Sequence, residues 1–158
     1  MTETGDMARF ACDLTYSDLP DDLLALQRRS FLDTMGVAAI GATTDMAGIA
    51  RRAGRALFGA GSAGAARVLM DGSALSPVGA AMAGVFTVDA VDAHDGSTPN
   101  KGHAGSAVFP ALLAVADALR AQGQAMDGAT FAAHLAVAYE VSYRAGQALH
   151  ATSAEYHA

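Results

Sequence analysis

The chain has 158 residues, is 52% hydrophobic and only 16% charged, and carries a net charge of −6. That balance is too apolar for a disordered chain and suits one domain of ordinary size. Nine Arg and one Lys scattered along an acidic chain make no basic face, so a nucleic-acid partner is excluded. Alanine supplies roughly a quarter of the residues and Trp is absent, which favours closely packed helices over a β-sandwich.

A short helix is expected over Thr4 to Asp13. The next opens at Ser17-Asp18-Leu19-Pro20, with Ser17 or Asp18 as cap and Asp21 and Asp22 in the first turn, where the helix dipole favours acids. Leu23, Leu24, Leu26, Phe31, Leu32, Met35, Val37 and Ile40 then give a broad apolar face that closes near Gly41, with Arg28 and Arg29 on the other side. A third helix runs from about Asp45 to Phe58 and stops at Gly59. Residues 59–66 read as a loop, and Ala66 to Met70 as a lone extended segment bounded by Asp71-Gly72.

Ser76-Pro77 is a strong helix start, a cap followed by Pro at the first helical position. That helix continues to about Asp92, and small residues at 79, 80, 83 and 84 allow close helix contact. An irregular polar stretch follows from Asp92 to Gly105. A further helix runs from about Ser106 to Gln122 with Pro110 in its first turn, and a last one from Gly128 to about His150, capped by Asp127. The fold class expected is all-α, a bundle-like array of helices.

Four isolated features weigh less than they first suggest. Gly59-Ala60-Gly61-Ser62-Ala63-Gly64 satisfies the G-x-G-x-x-G pattern, but it follows a helix where a dinucleotide site requires a strand. It reads as a helix connection. Cys12 is the single cysteine, which excludes an intrachain disulfide and a Cys-based zinc site and suits a reducing compartment. His134 lies among apolar residues and reads as structural, and His150 as a cation at a helix end. The N-terminus carries acids where a secretory leader would carry basic residues, and the longest apolar run, Pro77 to Val88, is too short to span a bilayer. A cytoplasmic protein with no membrane partner is expected.

The dense chemistry lies in Asp92-Ala93-His94-Asp95-Gly96-Ser97-Thr98-Pro99-Asn100-Lys101-Gly102-His103-Ala104-Gly105. Two of the five histidines and the sole Lys gather there between apolar helices. Imidazole titrates near neutrality, carboxylate accepts a proton, and Lys with hydroxyls holds an anion, so acid–base work on a carboxylated substrate is indicated. The alternatives are an ordinary solvated loop, or a metal site drawn from Asp92, His94, Asp95 and His103; helical metal-ligand spacing is missing.

Two segments resemble the MmgE/PrpD family. Leu19-Pro20-Asp21-Asp22-Leu23 … Phe31-Leu32-Asp33-Thr34-Met35-Gly36-Val37-Ala38 is similar to the family's opening helix with its L-D-T-L-G-V signature. Asp92 … Gly102-His103-Ala104-Gly105 … Val108-Phe109-Pro110-Ala111-Leu112-Leu113-Ala114 resembles its D-x-D-D-T … H-P-G … V-x-P-A-L-L-A block. The family includes 2-methylcitrate dehydratase, cis-aconitate decarboxylase and iminodisuccinate epimerase, which act on small polycarboxylates next to a carboxylate. The resemblance implies a large helical domain, a smaller α/β domain, a homodimer, a small polycarboxylate substrate and no organic cofactor.

By the same resemblance Asp92 and His103 are the loop acid and loop histidine, and Tyr156-His157 looks like the start of a later histidine segment. The site residues expected are therefore His103, Asp92 and His157 as catalytic groups, with Lys101, Ser97, Thr98 and His94 binding substrate. No metal is expected. Here the block reads Asp92-Ala93-His94-Asp95-Gly96, with His94 in place of an acid and Ser97 or Thr98 in place of the Thr, which resembles the epimerase branch more than the dehydratases. Family members are much longer. Residues 1–158 thus resemble part of the N-terminal helical domain, with the C-terminal α/β domain outside the sequence. An inactive helical fragment, an interaction module, or a metal-dependent hydrolase are the competing expectations.

Overall fold

The structure is a computed structural model that describes residues 3–59 and 65–152. The G-x-G-x-x-G connection lies mostly outside the described residues, as do Tyr156 and His157. Six helices dominate in chain order: α1 Glu3–Asp13, α2 Asp21–Gly41, α3 Asp45–Leu57, α4 Pro77–Asp89, α5 Ala104–Ala121 and α6 Gly128–Thr152. The all-α class expected from the sequence is the one observed.

Local chemistry sets most of the helix ends. The Thr44 hydroxyl accepts from Ala47 N–H and caps α3. Ser76 accepts from Gly79 N–H, with Pro77 at the first position of α4, and Asp127 accepts from Thr130 N–H before α6. At α2 the expected cap is displaced. Asp18 turns back onto Thr15 and closes a 3₁₀ turn at Tyr16–Asp18, so Pro20 precedes α2 with no side-chain cap. Helix α4 ends at Asp89, three residues short of the expected limit, and α5 begins at Ala104, two residues early. Pro110 consequently lies in the second turn of α5, where it removes the bond to the Ser106 carbonyl.

The segment after residue 65 is not alone. Ala66–Arg67 (β1) pairs antiparallel with Ala74–Leu75 (β2) in a two-stranded hairpin, with Met70 and Gly72 both at positive φ in the turn. A lone strand leaves backbone groups unpaired, and the hairpin answers that within nine residues. Arg67 then ties the hairpin to α5, its backbone N–H donating to Asp117 at 2.7 Å.

The most extensive helix contact is α4 against α5. Small residues make it close: a Cβ on Gly84 would stand 2.8 Å from Pro110 Cβ. Ala66, Val68, Leu75, Ala80, Ala83, Ala114 and Ala118 form one buried cluster between the hairpin, α4 and α5. Phe109, fully buried in α5, packs with Val108 and Leu135 and contacts the rings of Phe31 on α2 and Tyr139 on α6. Among the described residues α5 is long and apolar enough to cross a membrane, but its contacts with α2, α4, α6 and β1 account for that composition.

Helix α2 buries less of its apolar face than its sequence offers. Leu24, Val37 and Ala38 are buried, whereas Leu26, Leu32 and Ile40 are half or more exposed. Its inward stripe includes Gln27, whose Nε2 donates to the Ala132 carbonyl of α6 at 3.1 Å.

Candidate active site

The polar stretch between α4 and α5 is held by its own turns. Asp92 leaves α4 in a left-handed conformation, φ 48°. Thr98–Asn100 form a 3₁₀ turn that closes through Lys101, also left-handed at φ 46°. Ser97 N–H donates to the Gly102 carbonyl at 2.9 Å and shuts the loop. Left-handed backbone at a lysine is strained by roughly 1–3 kcal/mol, and such strain persists where surrounding contacts impose it. Here Asn100 supplies the anchor: it is buried against Gly146 of α6, and its Nδ2 donates to Ser97 Oγ at 3.1 Å.

Two imidazoles lie against each other inside this loop, with ring centroids 4.3 Å apart and planes tilted by 54°. The side chain of His94 is 2% exposed, and its Nε2 bonds Asp89 Oδ1 at 2.6 Å. In the neutral ring Nε2–H donates to the carboxylate, which leaves the lone pair on Nδ1, and that buried atom has no partner. His103 is exposed, and its Nδ1 bonds the backbone carbonyl of Asp95 at 2.8 Å. A carbonyl only accepts, so Nδ1 carries the proton and Nε2 the lone pair. His103 occupies the N-cap position of α5 without any side-chain cap bond.

Asp95 is the hinge between loop and helices. Its Oδ2 accepts from the Tyr139 hydroxyl at 2.8 Å, while its Oδ1 is buried without a partner. Both carboxylate oxygen and phenol press on Gly105, where any Cβ would collide with them. Burial first, then the hydrogen bond to Asp95, holds the Tyr139 phenol far above its ordinary range. Burial and the Asp95 charge raise Tyr143 as well. Edge-on ring contacts run Phe31–Phe109–Tyr139–Tyr143, so the aromatic core sets the height of the hydroxyl that grips Asp95.

Behind the loop lies a cavity of about 560 Å³. Its lining includes Asp95 and Gly96 of the loop, Leu19 and Leu23, and Tyr139 and Tyr143 of α6.

Of the expected site residues, Asp92, His94 and His103 come together, each offering a donor atom within 4.8 Å of the others. Ser97 is half-buried and its hydroxyl accepts from Asn100. Thr98 and Lys101 are exposed in the same turn. His157 lies outside the described residues. Sequence reading missed Asp89, Asn100 and Tyr139. Asp89 is five residues before His94 and carried a visible signal, an acid closing an otherwise uncharged helix. Tyr139 is 44 residues from Asp95, and only the tertiary fold pairs them.

With this geometry established, comparison with known proteins is informative. The model of the MmgE/PrpD N-terminal domain matches residues 5–158. The chain belongs to the MmgE/PrpD family. Two cis-aconitate decarboxylase sequences of Aspergillus terreus, one from strain NIH 2624 / FGSC A1156, are each 28% identical to it over 147 residues. Those residues are 93% of this chain and 29% of the relatives, so the chain spans under a third of their length. No solved structure matches it. The MmgE/PrpD assignment accounts for the helical fold.

Proposed function

We propose that this chain is the helical portion of an MmgE/PrpD enzyme that moves a proton at a carbon next to a carboxylate of a small polycarboxylate, as an epimerase, dehydratase or decarboxylase does. The observation that carries the reading is His103. Its Nδ1–H is fixed on the Asp95 carbonyl, its Nε2 lone pair is left over, and its exposed ring stands at the start of α5. A ring anchored through one nitrogen is oriented to take and return a proton with the other. The unpaired backbone N–H groups of the first turn of α5 favour a carboxylate beside it. The relatives' name, which denotes action on cis-aconitate, supports a polycarboxylate as the substrate class.

In this reading His103 is the acid–base group and Asp92 a second base or an orienting group. Lys101 with Ser97 and Thr98 engages carboxylate and hydroxyl groups of the substrate, and His157 provides a second acid–base or anion-binding group. Asp92 and Asp95 in the loop and Asp89 at the end of α4 outnumber Lys101, so a polyanion needs further cations from outside the loop. In this reading a further α/β domain or a second subunit supplies them, and residues 1–158 act as a helical unit of a larger assembly. The apolar residues that α2 leaves exposed, Leu26, Leu32 and Ile40, support such a contact.

The test is a pair of substitutions in the intact protein. His103→Ala and His103→Asn are each expected to lower kcat at least ~10²-fold with the melting temperature little changed. The readouts are exchange of the carbon-bound proton in D₂O across a panel of di- and tricarboxylates, and thermal melting. Because Asn at an N-cap supports a helix better than His, near-normal kcat in His103→Asn would show that the residue serves the helix and not the reaction.

A further inference from the structure

The loop leaves one nitrogen over on each of two imidazoles whose ring centroids are 4.3 Å apart. On His94 it is Nδ1, buried and without a partner; on His103 it is Nε2. Asp92, left-handed and exposed, brings a carboxylate to the same spot, one donor atom from each residue lying within 4.8 Å of the other two.

We propose that Asp92, His94 and His103 bind one first-row transition-metal dication of the zinc type. The second nitrogen of each ring is already committed, His94 Nε2–H to the Asp89 carboxylate and His103 Nδ1–H to the Asp95 carbonyl. That is the arrangement by which outer acceptors fix the tautomer and basicity of metal-binding histidines. A buried ring nitrogen without a partner is otherwise costly, and the His94–Asp89 contact through Nε2 leaves Nδ1 without one. Two imidazoles with one carboxylate suit zinc, cobalt or nickel rather than magnesium or calcium, which require oxygen ligands. Asp89, Asp92 and Asp95 also make the loop favourable to a cation.

Tetrahedral coordination with bonds of about 2.1 Å sets donors roughly 3.4 Å apart. The exposed Asp92 carboxylate can move toward the two rings, and a small tilt of His103 about its bond to the Asp95 carbonyl closes the rest without disturbing His94. Three protein donors leave one position for water or a substrate carboxylate.

This inference goes beyond the acid–base reading, and the two make opposite demands on one atom. A metal on His103 Nε2 occupies the lone pair that would accept the proton, so the ion inhibits proton transfer.

The chain, free of any affinity tag and stripped of metal, is titrated with Co²⁺ and followed by visible ligand-field absorption. The expected result is one equivalent bound, displaced by Zn²⁺ and not by Mg²⁺. Asp92→Asn and His94→Ala should each weaken binding at least ~10-fold, and Asp89→Asn, acting through the His94 ring, about 10-fold or more. His134→Ala, on an exposed histidine of α6, should change nothing. Asp92→Asn carries the test if His94→Ala fails to fold, because Asn tolerates the left-handed backbone there. No Co²⁺ uptake at millimolar concentration, or unchanged uptake by Asp92→Asn, overturns the proposal. Binding is read without substrate, so its outcome stands whether or not the intact protein proves to act on polycarboxylates.

Discussion

The same substitution, Gly→Ala, should have opposite signs at two helical positions, and the difference reports on the site. Gly36 lies on the exposed face of α2 with nothing within 4 Å of a built Cβ. Alanine there gains helix propensity alone, about 0.8–1.0 kcal/mol. Gly105 lies in the first turn of α5, where a Cβ would overlap the Asp95 carboxylate and stand 2.6 Å from the Tyr139 hydroxyl. Overpacking of that kind costs about 1–3 kcal/mol. Forcing the carboxylate off its phenol forfeits a charged hydrogen bond worth a further ~1.5–3 kcal/mol. Propensity returns less than about 1 kcal/mol, so destabilisation wins at Gly105 by roughly 1.5–5 kcal/mol.

At about 2–4 °C per kcal/mol for a chain of this size, Gly36→Ala should melt roughly 2–4 °C higher and Gly105→Ala roughly 3–20 °C lower. Thermal unfolding followed by circular dichroism measures both. A Gly105→Ala protein that melts at or above the parent temperature would show that Asp95 does not rest on α5, and the anchoring of His103 through the Asp95 carbonyl would fall with it.

Two further outcomes follow from the same contacts. Tyr139→Phe keeps the ring contacts with Phe109 and Tyr143 but strips Asp95 of its hydroxyl donor, and with Oδ1 already unpartnered it should lose about 1.5–3 kcal/mol in urea unfolding; a loss below ~0.5 kcal/mol would mean that water serves the carboxylate equally well. Acid should also weaken the fold through particular carboxylates. The hydrogen bonds from Arg67 hold Asp117 below the usual carboxylate range, as those from Ser73 do Asp71 and those from Thr130 do Asp127. A depressed folded-state pKa stabilises above the unfolded value and is lost as pH falls through the folded one, so the urea midpoint should drop below about pH 4. Asp117→Asn should sit below the parent at pH 7 and the gap should narrow as the pH falls below about 4; a gap that stays constant through the acid range refutes the assignment.

Much of the fold is written locally. Ser76-Pro77 starts α4, Asp127 caps α6, Gly41 ends α2, and the small residues at 79, 80, 83 and 84 are the buried face of α4, each as its chemistry requires. These signals act within one or two turns, so the sequence alone carries them. The loop from Asp92 to Gly105 was also legible as chemistry, because histidines and a lysine between apolar helices have no structural need to gather. What the sequence does not carry is who holds whom. Asp18 abandons α2 for Thr15, and half the apolar face of α2 stays exposed, because packing partners and not periodicity decide burial. Above all, the proton positions on His94 and His103 depend on Asp89 and on the Asp95 carbonyl, and Asp95 depends on Tyr139, 44 residues away. An imidazole's free nitrogen is defined by what its other nitrogen touches, and that is fixed only when α4, α5 and α6 have packed.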